Sequence, residues 1–149
     1  INTLIHKQSV ALKQKGKNMN LVIGYYKNNK MYFYGKHEDI LFYRDSIFNQ
    51  ILLSGVPIGE FEDISDKFLF IELNINTNDY IIFYTDGIVN AQNKKGEKFG
   101  IERLKDSFTK NLNKSIKTMV RNIIADVLRW ENRKGTNRDD KSILIIRKK

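Results

Sequence analysis

The octapeptide Tyr-Ile-Ile-Phe-Tyr-Thr-Asp-Gly at positions 80–87 limits what this chain can become more than any other stretch. Apolar, aromatic and β-branched side chains follow one another without the polar gaps of a helix. The run therefore predicts a strand buried on both faces. It stops abruptly at Asp86 and Gly87. The carboxylate then stands where the strand leaves the sheet, and the glycine lets the chain turn sharply behind it. A carboxylate at the end of a rigid strand is well placed to bind a hard cation, although Asp-Gly is also a common turn signal. The rest of the chain must decide between the two.

Ahead of this run the pattern is mostly that of strands. Ile1, Leu4, Ile5, Ala11 and Leu12 form a helical stripe over residues 1–15, with Gly16 and Asn18 as stop signals. Strands are predicted over 21–26, 31–34 and 40–44, the first two joined by a hairpin connection at 27–30. This is an antiparallel meander rather than a βαβ pattern. Residues 45–54 read as a less regular connection. Gly55-Val56-Pro57-Ile58-Gly59 holds the only proline of the chain between two glycines and predicts a fixed loop or tight turn. Further strands are expected over 68–75 and 80–85.

The second half changes period. A helix begins near Ile101, and Ser115 caps a longer one over 115–130. Its stripe is Ile116, Met119, Val120, Ile123, Ile124, Val127 and Leu128, ending at Trp130, which predicts packing against a sheet. Residues 133–138 form a basic, glycine-containing loop. Asp139-Asp140 then precedes a strand over 142–147 whose Ile-Leu-Ile-Ile centre at 143–146 reads as doubly buried. The class is α+β.

Carboxylates thus fall at the ends of two separate apolar strands. Mg²⁺ and Mn²⁺ prefer oxygen ligands, and two such ions about 3.5–4 Å apart can activate a bridging water for attack on a phosphoryl group. Asp86 and Asp139 are the leading candidate ligands, with Asp140 next and Thr85 and Gly87 as the supporting turn. Asp139-Asp140 can also be read as a solvated acidic turn between Arg138 and Lys141. His6, in a helix, and His37, at a strand junction, read as structural.

Composition narrows the surroundings. With 149 residues and 41% hydrophobic content the chain can bury one real core. It has no cysteine, so disulfides and thiolate metal sites are excluded. No apolar run reaches membrane-spanning length, and no apolar signal core opens the chain, which predicts a cytoplasmic domain without membrane contact. The net charge of +9 is spread along the sequence, its longest basic run being Arg147-Lys148-Lys149. Nucleic acid is therefore not the expected partner. The chain starts at Ile1 rather than methionine, which predicts a piece of something longer.

Two long segments carry a family resemblance. Phe-Tyr-Thr-Asp-Gly-Ile-Val-Asn-Ala at 83–91, continued by Gly-Glu-Lys-Phe-Gly-Ile-Glu-Arg-Leu at 96–104, resembles the stage II sporulation E branch of the protein phosphatase 2C-like (PPM-type) serine/threonine phosphatases of bacteria. Arg-Asp-Asp-Lys-Ser-Ile-Leu-Ile-Ile-Arg at 138–147 is similar to that family's closing Asp-Asp motif and final strand. The glycine-flanked turn at 55–59 and the segment 34–44 are similar too, although Lys36 separates Gly35 from His37 where the family joins glycine to histidine. The resemblance implies two packed antiparallel sheets flanked by helices and a two-ion Mn²⁺ or Mg²⁺ site with Asp86 and Asp139 as ligands. It also implies hydrolysis of phosphoserine or phosphothreonine by metal-activated water. The implied substrate is a small regulatory phosphoprotein of the anti-sigma-factor-antagonist type. An upstream sensor or regulatory domain is the implied neighbour.

The sequence departs from the family in its first part. Residues 1–37 contain no Asp or Glu, and Glu38 is the first acid. The family's two N-terminal aspartate motifs, which supply further metal ligands, are absent. Residues 1–149 are therefore expected to form a single, N-terminally incomplete phosphatase domain, inefficient alone and prone to self-association through uncovered apolar surface. The alternative is a non-catalytic phosphatase-like module that binds a partner in a signalling protein.

Overall fold

The structure, a computed structural model, describes residues 1–11, 18–131 and 139–149. The chain divides into two compact units. One comprises residues 1–39, 51–77 and 148, the other residues 40–50, 78–147 and 149.

The first unit holds helix α1 (Asn2–Ala11) and a sheet of β1 (Leu21–Lys27), β2 (Lys30–Lys36) and β5 (Ile71–Asn74), in the order β1-β2-β5. Both pairings are antiparallel. Asn28 and Asn29 make the two-residue turn between β1 and β2 with φ of 51° and 58°. Both values suit the type I′ hairpin, whose twist matches the strands, and asparagine is one of the few residues that tolerates them. Among the described residues, Met31, Phe33, Leu53 and Ile75 are the buried apolar side chains of this unit.

The second unit is built on a four-stranded sheet ordered β4-β3-β6-β7, with β3 at Ile40–Arg44, β4 at Ile47–Ile51, β6 at Tyr80–Tyr84 and β7 at Ile143–Arg147. β6 runs antiparallel to both β3 and β7. Leu41, Tyr43, Tyr80, Ile82, Tyr84 and Ile145 project from one face of this sheet into a core shared with α3 (Gly100–Thr109) and α4 (Ile116–Glu131). Leu104, Phe108, Met119, Ile123 and Val127 are the helical half of that core and are fully buried. Each such side chain contributes roughly 1.5–3 kcal/mol of burial energy. Phe108 is central, its ring standing edge-on to Tyr43 and Tyr80 with centroids 5.2 Å away in both cases.

Among the described residues, several polar side chains of this unit are paired. The Ser107 hydroxyl donates to Asp126, Asn111 donates to the Ser107 carbonyl, and Asn122 donates to Asn111. Asp79, 3% exposed, receives the Arg44 guanidinium through Nε at 3.0 Å and a second bond from NH2.

Several sequence expectations need correction. Residues 45–54 are not a loose connection: β4 occupies Ile47–Ile51. It follows a two-residue turn at Asp45 and Ser46 with φ of 48° and 65°, and its Ile-Phe-Asn-Gln-Ile sequence shows neither an unbroken apolar run nor a period-two alternation. The strand expected over 68–75 is shorter, β5 starting at Ile71. Phe68 instead packs its ring on Tyr34, with centroids 5.0 Å apart. β7 is not buried on both faces. It lies at a sheet edge, and Leu144 and Ile146 are 56% and 37% exposed. Leu128 is exposed and stands off the buried stripe of α4. α1 buries none of its residues, so its apolar stripe is not a core element of this chain. It is held instead through Asn2, whose amide donates to the carbonyls of Phe61 and Glu62 and accepts from the Gly59 N–H. The expected end of that helix near Lys15, the stop signal Gly16 and the basic loop 133–138 lie outside the described residues.

Candidate functional site

The ends of β6 and β7 are joined beyond their last ladder pair, Tyr84 with Ile143. The Thr85 N–H donates to the Ser142 carbonyl at 3.0 Å. The Thr85 hydroxyl then donates to the Asp140 carbonyl at 2.9 Å and accepts from the Ser142 N–H at 3.0 Å. One side chain thereby extends the strand pairing by a further step and ties the Asp139-Asp140 segment to the end of β6.

Asp86 begins a single helical turn, α2 (Asp86–Val89), instead of the simple reverse turn that Asp-Gly suggests. Gly87 is the second residue of that turn and is buried. A Cβ placed on it would lie 2.3 Å from the Asp140 carbonyl oxygen and 3.4 Å from the Asp139 carbonyl carbon. Glycine is required here by space. Its bareness lets the main chain of Asp139 and Asp140 lie directly against the residue that follows Asp86. Ile88, fully buried in the core, anchors the same turn from below.

The structure thus brings the Asp86 and Asp139-Asp140 segments together on adjacent strand ends. All three aspartates are exposed, and Asp139 Oδ1 accepts the Asp140 N–H at 2.9 Å. Oxygen donors of this kind suit a hard divalent cation. Among the described residues, however, no group of three or more His, Asp or Glu side chains is gathered that could hold one ion. The donors present fit one side of such a site.

Residue type alone does not announce what lies beside the aspartates. Lys141 does not sit in solvent beside an acidic turn: its side chain is 13% exposed and pairs with Glu131, the last residue of α4, at 2.9 Å. Lys141 Nζ also donates to the Asp139 carbonyl at 3.1 Å. Only the opposite signs of two residues ten positions apart could have hinted at it.

In the first unit, the glycines of the other two similar segments are also close-packed. Gly35 adopts φ +130°, and a Cβ there would lie 2.1 Å from the Leu21 carbonyl oxygen. A Cβ on Gly55 would lie 2.5 Å from the Phe68 ring. Ile58 exchanges two main-chain hydrogen bonds with Met19 at 2.9 and 3.0 Å, which fixes the proline-containing loop. His6 Nδ1 stands 3.2 Å from the Gly59 carbonyl and His37 Nδ1 3.2 Å from that of Glu38.

A family comparison matches residues 5–149 to the stage II sporulation protein E (SpoIIE) family. The chain belongs to that family. Solved structures agree on the architecture. This SpoIIE-family chain resembles PppA, a key regulatory component of T6SS in Pseudomonas aeruginosa, with a TM-score of 0.71 at 13% identity, over 98% of this chain and 64% of PppA. It also resembles the catalytic domain of the serine threonine protein phosphatase PstP, solved in complex with two manganese ions. There the TM-score is 0.67 at 11% identity, covering 97% of this chain and 64% of PstP. The third is the PP2C phosphatase domain, with a fragment of the regulatory domain, of the cell fate determinant SpoIIE from Bacillus subtilis. Its TM-score is 0.63 at 19% identity, covering 86% of this chain and 36% of that one. The chain therefore has the PP2C-type phosphatase fold, with its two antiparallel sheets and helices, and spans less than two thirds of the length of these structures. No curated protein matches it.

Proposed function

We propose that residues 1–149 are part of a metal-dependent phosphoprotein phosphatase domain in which Asp86 and Asp139 are carboxylate ligands of a Mn²⁺ or Mg²⁺ site and Asp140 an accessory one. The observation that carries this reading is the contact of the Asp139-Asp140 main chain with Gly87, which places two acidic segments at neighbouring strand ends. When bound, the metal supplies an activated water for attack on the phosphorus of phosphoserine or phosphothreonine. The chain's own residues hold the ligands in place. Thr85 clasps the two segments, Gly87 gives them room, and the Asp140 N–H orients one carboxylate oxygen of Asp139. Remaining ligands of a two-ion site would come from outside residues 1–149. The proposed substrate is a regulatory phosphoprotein of the anti-sigma-factor-antagonist type, dephosphorylated in the cytoplasm under the control of an upstream sensor domain.

One observation favours a second reading. Among the described residues no three ligand side chains are gathered, which fits a phosphatase-like module that binds a partner without turnover. The deciding assay uses the full-length protein with a small aryl phosphate and with a phosphoserine protein, in Mn²⁺ and in chelator. Turnover that needs Mn²⁺, and that Asp86→Asn or Asp139→Asn abolishes without unfolding the protein, supports the enzyme. Equal rates in every condition, or none in any, sink it and leave the binding module.

A further inference from the structure

The Glu131–Lys141 ion pair stands directly behind the candidate ligands and has no role in the reading above. Both side chains are 13% exposed and meet at 2.9 Å. Two long charged side chains are rarely withdrawn from water together unless something is gained, because desolvation offsets much of their attraction. Here the ammonium has a second partner. Its bond to the Asp139 carbonyl, at 3.1 Å, runs to the residue whose carboxylate is proposed as a ligand. Glu131 closes α4, a helix whose Met119, Ile123 and Val127 are locked in the core. The pair therefore connects a rigid core element to the backbone of one ligand residue.

We infer that Lys141 is a positioning residue for the metal site, held by Glu131 and acting through the Asp139 main chain. This rests on the assignment of Asp139 as a ligand. Thr85 restrains the same turn from the β6 side, at Asp140, and Lys141 restrains it from the α4 side, at Asp139. With both in place, the Asp139 carboxylate projects from a turn fixed at two successive peptide groups. Partners behind a ligand commonly set affinity by about 10–100-fold, since a ligand that must be ordered on binding loses entropy that a pre-set one does not.

The experiment titrates full-length protein with Mn²⁺ alone and follows the electron paramagnetic resonance signal of the free ion, with thermal unfolding in metal-free buffer as a separate readout. Asp139→Asn is the reference for a lost ligand. Lys141→Met is expected to weaken Mn²⁺ binding about tenfold or more. Lys141→Arg, which keeps charge and donors, should restore at least part of it. Because Lys141→Met leaves Glu131 without its cation and can unfold the protein, the double variant Glu131→Leu/Lys141→Met is read beside it. That variant removes both charges from the partly buried site and should unfold near the parent temperature, yet bind Mn²⁺ as weakly as Lys141→Met. Wild-type Mn²⁺ affinity in the double variant, with Asp139→Asn clearly weakened, overturns the positioning role and leaves the ligand assignment standing. Unchanged affinity in Asp139→Asn overturns both, and is recognisable as failure of the ligand assignment itself.

Discussion

Thr85 and Asp140, 55 positions apart in sequence, are joined by a 2.9 Å hydrogen bond from the threonine hydroxyl to the aspartate carbonyl. The threonine hydroxyl oxygen also accepts the Ser142 N–H at 3.0 Å. A threonine is well suited to this place, because its β-branched side chain favours the extended backbone while its hydroxyl does the work of a peptide group. Replacing it with the nearly isosteric valine keeps the shape and removes both bonds. Thr85→Val is expected to lower stability by about 1–3 kcal/mol in urea unfolding, and Thr85→Ser by much less. A larger loss in Thr85→Ser than in Thr85→Val would show that the methyl, not the hydroxyl, matters.

Gly87→Ala tests space alone. The added methyl would meet the Asp140 carbonyl oxygen at 2.3 Å, so the Asp139-Asp140 segment must move. A ligand displaced by about 1 Å commonly costs on the order of 100-fold in rate, and a loss of that size in Mn²⁺-dependent turnover is expected with the protein still folded. Full turnover in Gly87→Ala would mean that the contact is incidental to the site.

The buried carboxylate of Asp79 depends on Arg44 for much of its compensation. Arg44→Met removes a guanidinium that makes two bonds to it. The expected destabilisation is about 3 kcal/mol, because Asp79 stays buried and loses its cation. The double variant Arg44→Met/Asp79→Leu should recover most of this. Chemical unfolding of the three proteins in parallel gives the answer.

Gly35→Ala concerns the first sheet. At φ +130° any side chain is strained, at about 1–3 kcal/mol, and its Cβ would also strike the Leu21 carbonyl. The β1–β2 pairing is expected to fray at the Leu21–Lys36 end, visible as faster amide exchange at Leu21 and Val22 than at Tyr26. Uniform exchange along β1 would contradict this.

Much of this arrangement was legible in the sequence. β6 could be read because five consecutive apolar or aromatic residues admit little else, and α4 because its apolar positions recur at the helical period. Asp86 and Asp139 were visible because each follows or precedes such a run. β4 was not legible because Ile-Phe-Asn-Gln-Ile carries neither a continuous apolar run nor a period-two alternation, although Asp45 and Ser46 before it are turn residues. Burial of β7 was overestimated for a different reason. Ile-Leu-Ile-Ile has the composition of a central strand, and periodicity cannot say whether a strand has neighbours on one side or two. The Glu131–Lys141 pair was illegible because charges at the ends of a helix and a strand look solvated until the two elements are docked.

The pairing of β6 with β7 has a consequence in time. β7 at Ile143–Arg147 leaves the ribosome after every other element of this unit has been made. Until it arrives, the Thr85 hydroxyl has neither Asp140 nor Ser142 to bond, and Asp86 has no acidic neighbour beside it. Contacts of such long sequence separation form late, because closing the intervening loop must precede any gain from them. A nascent chain can thus hold β3, α3 and α4 together while the aspartates are still apart. The two acidic segments meet only once β7 has been made, and a ribosome stalled before Asp139 carries a chain in which Asp86 still stands without Asp139 and Asp140.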